Sequence, residues 1–493
     1  MADPRPEQSP AERFASGLTP GQAAAAEAFA RWLEAPWDGT PFVLSGCAGT
    51  GKTFLCRQLL RQVEASGLCW TVVAPTHKAV GVLRQQLAIA GLQPTWYPST
   101  IHRVLRLKLR RQGDLERCEE TEQTAVALEN LGLVLVDEAS MVDSTLLEIT
   151  LRCAHPFRTR LVFVGDPAQL PPVGESESPV FGMARCAGAA LVEVVRHQGP
   201  VLRLATGLRN GVLPCRRPPP LAPIRDAHGQ VAALPRRDWL AAAQAGLRRA
   251  AERDNPDHAR ILCYTNRALE QLVPLARRAI HGAMADQLPV LPGEVLISRS
   301  AVMAPACRAG EEAAEEPDLV LGSNRELVVR DVTPERCDLA EFGITAEAGW
   351  IAPVIETLTA EVETGDTRLS LRLLPPVGSA ARQELDAVLQ RLRLQARGAG
   401  KQAGRSLWRQ YFLVRDAFAS LGPAAVLTVH RSQGSTFGEV YVAGDVFWPE
   451  DDLLRRQLVY VAVSRASEAV WLMADRPSPA DQALWSEWLL PGG

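Results

Sequence analysis

Gly46-Cys47-Ala48-Gly49-Thr50-Gly51-Lys52-Thr53 follows the pattern G-x-x-x-x-G-K-[ST]. The apolar run Phe42–Gly46 before it reads as a strand, and Thr53–Glu64 after it as a helix. Strand, glycine-rich turn and helix together predict a phosphate-binding loop. Glycines let backbone N–H groups wrap a phosphate chain, and the helix N-terminus adds positive potential. Gly46, Ala48, Gly49, Thr50 and Gly51 form the cradle, and Lys52 reaches between the outer phosphates. A guanidinium is too wide for that slot. The Thr53 hydroxyl is the expected ligand of Mg²⁺.

A carboxylate pair complements this loop. Leu133–Met141 reads LVLVDEASM, a buried strand ending in Asp137 and Glu138. Alternation along a strand sends adjacent side chains to opposite faces. Asp137 is assigned to the metal and Glu138 to the attacking water. A third strand end, Val164-Gly165-Asp166-Pro167-Ala168-Gln169-Leu170-Pro171, places Gln169 where it can report the γ-phosphate.

Working outward, strands and helices alternate from Leu18 to about Ala190. Thr71–Ala74, Leu131–Val136 and Leu161–Gly165 read as strands, and Lys78–Ala90 as a helix. Such alternation predicts a doubly wound parallel sheet. The texture returns with strands at Arg260–Tyr264, Val426–Thr428, Val440–Val442 and Ala469–Met473, and helices at Arg267–His281 and Leu453–Val463. The fold class is therefore α/β, two tandem parallel-sheet domains, 18–190 and 191–290 joined with 421–493. Between them, 291–420 reads as a small antiparallel barrel plus a helical arm. Its strands are Glu294–Ser300, Leu319–Val332, Ile351–Glu363 and Leu369–Leu374. Its helices, Ala381–Gln395 and Ser406–Ala419, flank a glycine-rich turn, Gly398–Gly404, and Trp408 and Phe418 suit its core. Arg209–Asp238 reads as a surface connection, and 1–17 as a disordered tail.

The whole chain has 493 residues, a net charge of −3, 47% hydrophobic and 22% charged residues. That fits three or four folded units at roughly 100–200 residues each. No apolar run approaches the ~18–20 residues that span a bilayer, and no signal-peptide core opens the chain. Ten cysteines are scattered with no C-x-x-C or zinc spacing, as for small buried apolar residues in a reducing cytoplasm. The expected location is cytoplasmic. Only four of the 53 basic residues are lysine: Lys52, Lys78, Lys108 and Lys401. Where arginine is this favoured, a retained lysine marks a site where arginine serves poorly.

The ordered motifs resemble superfamily 1 DNA helicases of the 5′-to-3′, RecD-like and Dda-like subgroup. They are the phosphate loop, APTHKAV (Ala74–Val80), STIHRVL (Ser99–Leu105), VDEAS, GDPAQLPPV, VHRSQGST (Val429–Thr436) and YVAVSRA (Tyr460–Ala466). The resemblance runs from about Leu18 to Met473. It implies two RecA-like domains with ATP and Mg²⁺ between them and an SH3-like barrel in the second. Gln22, in LTPGQ, matches the adenine reader. Arg196 and Arg465 match the arginines that reach the γ-phosphate from the second domain. Lys52, Glu138, Gln169, Arg196 and Arg465 form the implied catalytic set.

The resemblance also implies single-stranded DNA across the tops of both domains. Thr76, His77, Thr100, His102, Thr428 and His430 fall in its contact motifs, with capping or packing as the alternative role. Such donors suit backbone contacts, which carry no sequence information. Trp96 and Tyr97 read as core, with base stacking the alternative. Arg103–Asp114 alternates basic and apolar residues toward a Gln112-Gly113-Asp114 turn, a hairpin placed, within an insertion at about 103–130, where the family carries its strand-separating pin. Residues 103–130 contain no aromatic, so Leu107 and Leu109 are the apolar candidates, and a basic ribbon that only tracks phosphates is the other reading. Arg431 stands where the family commonly has lysine and reads as a tolerant phosphate or surface contact.

Three functions stay open at this stage. The first is a 5′-to-3′ DNA helicase acting at single-strand/duplex junctions in repair, recombination or replication. The second is a DNA-stimulated ATPase that remodels protein–DNA complexes, and the third is an RNA-directed helicase of the same superfamily. A monomer is expected, with single-strand-binding or repair proteins as partners. No carboxylate cluster outside the ATP site suggests a nuclease, and little chain follows the last helicase strand.

Overall fold

The computed structural model describes residues 17–112, 115–172, 174–193, 199–303, 319–344, 353–365, 367–475 and 479–490. All of the expected disordered tail except Gly17 lies outside them.

The first domain begins with α1 (Pro20–Glu34), entered through a reciprocal cap. The Thr19 hydroxyl accepts the Gln22 N–H at 3.3 Å, and the Gln22 side chain accepts the Thr19 N–H at 3.2 Å. There follow β1 (Phe42–Gly46), α2 (Lys52–Ala65), β2 (Trp70–Ala74), α3 (His77–Ala90), β3 (Ser99–Thr100) and α4 (Ile101–Val104). The hairpin β4 (Lys108–Gln112) and β5 (Leu115–Glu119) precedes β6 (Leu133–Val136), α5 (Ser144–Ala154), β7 (Arg160–Gly165) and β8 (Ala187–Leu191). Six strands form one parallel sheet in the order β3-β2-β6-β7-β1-β8. Strand alternation divides its core into two layers. Leu133 and Leu135 pack with Leu55, Leu59 and Trp70 on one face, while Val134 and Val136 pack with Ile149 and Phe163 on the other. Covering both faces is what a parallel sheet requires, and each fully buried aliphatic side chain contributes about 1.5–3 kcal/mol. β8 has no sequence signature because AGAAL is poor in β-formers. Its Gly188 is required by packing: a Cβ there would lie 2.4 Å from the Val43 carbonyl oxygen.

The second domain holds α6 (Pro200–Arg209), β9 (Leu221–Asp226), β10 (Gly229–Leu234), α7 (Arg236–Glu252), β11 (Ala259–Cys263) and α8 (Asn266–His281). The expected surface connection at 209–238 is thus wrong. It contains two strands of the second sheet, and β10 pairs in parallel with the last strand of the chain. Pro223 disguised β9, but proline is tolerated on an edge strand.

The insertion contributes β12 (Val295–Ser298), β13 (Val302–Met303), β14 (Leu319–Leu321), β15 (Glu326–Asp338), β16 (Val354–Thr364), β17 (Thr367–Arg372), α9 (Ala380–Gly398), α10 (Lys401–Asp416) and β18 (Leu421–Pro423). The expected antiparallel barrel corresponds to a five-stranded sheet, ordered β17-β16-β15-β12-β18, with a β13–β14 ribbon on its core. Its two outer strands meet at a Leu373–Ala419 bridge, where the Ala419 N–H donates to the Arg372 carbonyl at 2.7 Å and the Leu374 N–H to the Ala419 carbonyl at 2.9 Å. The far ends of β15 and β16 pack on α9 and α10 through Cys337, Ile355, Leu385, Val414 and Phe418. Phe418 is core, but Trp408 is half-buried beside Tyr411 and Phe412. The glycine-rich turn shrinks to Ala399-Gly400. Gly404 lies inside α10, where a Cβ would sit 3.2 Å from the Ala396 carbonyl. Because β18 pairs with β12, the insertion runs through Pro423.

The second domain resumes with β19 (Val426–Thr428), β20 (Phe437–Val442), α11 (Asp452–Ser464), β21 (Ala466–Met473) and α12 (Pro479–Leu489). Its sheet order is β19-β11-β20-β21-β10-β9, parallel except at β9. Among the described residues no helix is long and apolar enough to cross a membrane. The described cysteines are all free, and Cys69, Cys118 and Cys186 are exposed rather than buried.

Candidate active site

β1, β6 and β7 are neighbours, so their C-terminal ends bring the phosphate loop, Asp137–Glu138 and Asp166–Gln169 together. Gly49 and Gly51 have φ of +85° and +77°, a left-handed backbone that turns the loop into α2. Lys52 is the first residue of α2. Its ammonium donates to the carbonyls of Gly46 at 2.6 Å and Cys47 at 3.0 Å. The buried Thr50 hydroxyl donates to Cys47 at 2.8 Å, and Thr53 stands exposed on the first turn. Gln22 is 2% exposed, and its amide donates to the Thr50 carbonyl at 3.0 Å. The expected adenine reader thus braces the loop from α1.

Asp137 leaves β6 and accepts the Glu138 N–H at 2.9 Å. Burial, then the neighbouring Glu138 carboxylate, raise Asp137 far above the ordinary aspartate range. Glu138 has φ +52°, a left-handed conformation rare for a residue with a side chain. Such strain at the mouth of a phosphate loop sets the direction of one side chain. Gln169 is 7% exposed, and its amide oxygen has no partner among the described residues. A buried unpaired acceptor is costly and fits a group held ready for a ligand or water.

The second domain closes on this cluster. Tyr460, on α11, donates to Asp166 at 2.6 Å and accepts the Ala48 N–H at 2.9 Å. Gln433 donates to the Leu170 carbonyl at 3.1 Å. Sequence reasoning quoted the segments holding Tyr460, Asp166 and Gln433 but gave these residues no role. Arg465 ends α11 and is 7% exposed. Its guanidinium donates to Val461, Ser435 and Ser464, each at 3.3 Å and all in its own domain. Arg196 lies outside the described residues.

The expected DNA contacts sit on neighbouring edges. Thr76 caps α3, accepting the Ala79 N–H at 3.3 Å, and Thr100 caps α4, accepting the Arg103 N–H at 3.4 Å. His77 packs on Gly322 of the insertion, where a Cβ would fall 2.4 Å from its ring. Burial lowers His77, His102 and His430 below the ordinary histidine range. Thr428 ends β19 and is buried, and the His430 ring lies 6.2 Å from that of Tyr264. Buried Asp445 fixes that loop by accepting from Tyr264 and Thr265. Arg431 is not a surface contact: it is half-buried and donates to the Arg299 carbonyl of the insertion at 3.0 Å.

Lys78 is likewise held by neighbouring parts of the fold. Its ammonium meets Glu326 of the insertion at 2.9 Å and Asp257 of the second domain at 3.8 Å, and lies 5.1 Å from the Phe437 ring centre. The hairpin β4–β5 is present, with its turn, 113–114, outside the described residues. Leu107 packs against the first domain's core, so it anchors the ribbon rather than tipping it.

The chain is similar to known proteins in both parallel-sheet domains. Residues 17–214 match an AAA domain family model, and residues 423–473 match a UvrD-like helicase C-terminal domain. The ATP-dependent DNA helicase dda of Enterobacteria phage T4 is 23% identical over 432 residues, covering 86% of this chain and 92% of that protein. The ATP-dependent RecD2 DNA helicase of Deinococcus radiodurans is 32% identical over 177 residues, 35% of this chain and 22% of that protein. Among solved structures, Pif1 helicase from Candida albicans overlays 95% of this chain and 98% of its own, at 14% identity and a TM-score of 0.43.

Proposed function

We infer that this chain, which is similar to the Dda and RecD2 helicases, is an ATP-dependent DNA helicase of superfamily 1 that moves 5′ to 3′ on single-stranded DNA. The observation that carries the reading is Tyr460 of the second domain bonded to both Ala48 of the phosphate loop and Asp166. Nucleotide bound in that loop would lie between two domains, so its hydrolysis can change their spacing.

In the proposed chemistry Lys52 leaves the Gly46 and Cys47 carbonyls for the outer phosphates. Glu138 orients the attacking water and receives its proton, and Gln169 offers its free amide oxygen to that water. Arg465 and Arg196 supply positive charge to the γ-phosphoryl from the second domain, where charge builds in the transition state. The Thr53 hydroxyl and Asp137 carboxylate would hold Mg²⁺. These are hard oxygen donors, and a divalent cation restores the charged form of a carboxylate that burial and Glu138 disfavour. The ion would neutralise phosphate charge.

Single-stranded DNA is the proposed track, with Thr76, His77, Thr100, His102, Thr428 and His430 along it. The β4–β5 hairpin is the proposed wedge at the junction. We place the protein in the cytoplasm as a monomer, in repair, recombination or replication, alongside single-strand-binding or repair proteins. The test is unwinding of forked duplexes with 5′ or 3′ tails, in DNA and RNA. Opening only from a 5′ DNA tail is expected. Opening only from a 3′ tail overturns the polarity, and opening of RNA alone overturns the substrate. DNA-stimulated hydrolysis without strand separation favours the remodelling reading.

A further inference from the structure

Tyr97 is 72% exposed, the most exposed aromatic ring among the described residues. Its neighbour Trp96 packs against the first domain's core. Tyr97 points the other way, and it is not loose. The Arg84 guanidinium lies 4.2 Å over its ring. Arg84 is itself fixed by two bonds to the Pro98 carbonyl, at 3.0 Å and 2.6 Å. One face of the ring is backed by a cation, and the exposure belongs to the other face and the edges.

The surroundings are cationic and unneutralised. His77 feels Arg325, Arg84, Arg103 and His102, all positive or potentially positive. None of Arg84, Arg103 and Arg325 is ion-paired among the described residues. Lys78, by contrast, is neutralised by Glu326 and Asp257. In a chain of net charge −3, such a patch calls for a polyanion. Tyr97 precedes Thr100 by three residues, about 10 Å of extended chain, so the ring stands beside the proposed track. An aromatic face interleaved with cations is the chemistry that holds single strands, because every base has a π-face.

We propose that Tyr97, backed by Arg84, is a base-stacking platform for single-stranded DNA at the edge of the first domain. This rests on the helicase reading. It adds to that reading a contact that does not depend on phosphate charge.

The test uses the full-length protein and a fluorescein-labelled oligothymidylate, read by anisotropy across a salt series. Tyr97→Ala should weaken binding roughly 5- to 160-fold, the span for one stacked base, while Tyr97→Phe binds as the parent. The slope of log affinity against log salt should not change in Tyr97→Ala, because no phosphate contact is lost. Arg103→Ala should lower that slope by about 0.7. Thermal melting and affinity for nucleotide should be those of the parent in all three variants. Unchanged binding by Tyr97→Ala, or equal losses in Tyr97→Ala and Tyr97→Phe, overturns the platform alone. A parent protein that binds no single-stranded DNA overturns the helicase reading and the platform with it.

Discussion

Tyr460 donates its hydroxyl to the buried Asp166 carboxylate at 2.6 Å, joining the two parallel-sheet domains by one bond. The same oxygen accepts the Ala48 N–H, so α11 is tied to the phosphate loop as well. Burial, then the Asp166 charge, hold the phenol well above the ordinary tyrosine range, so it remains a donor at any working pH. Tyr460→Phe keeps the ring and removes both bonds. A hydrogen bond to a charged partner contributes about 1.5–3 kcal/mol, so the loss is large enough to see. DNA-stimulated hydrolysis should fall about tenfold, with nucleotide affinity changed by less than about threefold. Equal losses in steady-state hydrolysis and in equilibrium nucleotide binding would place Tyr460 in the binding site rather than in the coupling.

Variants at Lys52 and Glu138 test whether binding and turnover separate. The Lys52 ammonium fits between two carbonyls at 2.6 Å and 3.0 Å, a site for a compact charge. Lys52→Arg should cost on the order of 100-fold in hydrolysis, as for loss of one preorganised charge donor. Glu138→Gln keeps the shape at φ +52° and removes the proton acceptor. It should bind ATP nearly as the parent does and turn over on the order of 100-fold more slowly or worse. Single-turnover hydrolysis set against equilibrium binding checks both variants. Normal turnover by Glu138→Gln would move the water-orienting role elsewhere.

The residues of the proposed nucleotide site were legible because their chemistry is local. Gly46–Thr53, Asp137 and Gln169 each end a buried strand, and strand order alone assembles them. What could not be read needed partners far along the chain. Lys78 and Glu326 are 248 residues apart, and nothing in APTHKAV names its partner. Arg431 read as a phosphate or surface contact because the insertion that carries Arg299 had no visible register. β8 and β9 were hidden by small residues and proline, whose strand pairing comes from the sheet rather than from propensity. Tyr97 read as core because an aromatic beside Trp96 ordinarily is.

Gly246 tests packing against propensity. It lies in α7 with the Tyr441 ring directly above, and a Cβ would fall 2.3 Å from the Tyr441 oxygen. Tyr441 is fully buried, stacks on Trp471 at 5.9 Å and bonds Glu439 at 2.5 Å, so it has little room to yield. Gly246→Ala gains about 1 kcal/mol of helix propensity and costs about 1–3 kcal/mol of overpacking. The second is the larger, so the variant should melt below the parent. A higher melting temperature would mean that the ring moves freely.

Lys78 and Glu326 link the first domain to the insertion at 2.9 Å, and Arg260 of the second domain shares the same carboxylate at 3.4 Å. Phe437 lies between the two cations, 5.1 Å from one and 5.4 Å from the other. Burial opposes the charge on Glu326, but Arg260 and Lys78 outweigh it and hold the carboxyl below its ordinary value of 4.5. A carboxyl lowered on folding stabilises the fold above its unfolded value, and that stability disappears as pH falls through the folded value. The parent should therefore lose stability as pH drops below about 4.5, and Glu326→Gln should lose less over the same range. Removing Lys78 leaves Arg260 on the carboxylate, so Lys78→Ala should be milder than Glu326→Gln at neutral pH. Residues in one ion network couple by about 0.5–3 kcal/mol, so the double variant should be less destabilised than the sum of the singles. Denaturant melts of the four proteins at pH 7 and pH 4 measure both effects. Strict additivity at pH 7, or parallel pH profiles for parent and Glu326→Gln, would show that these two cations and their carboxylate merely lie near one another.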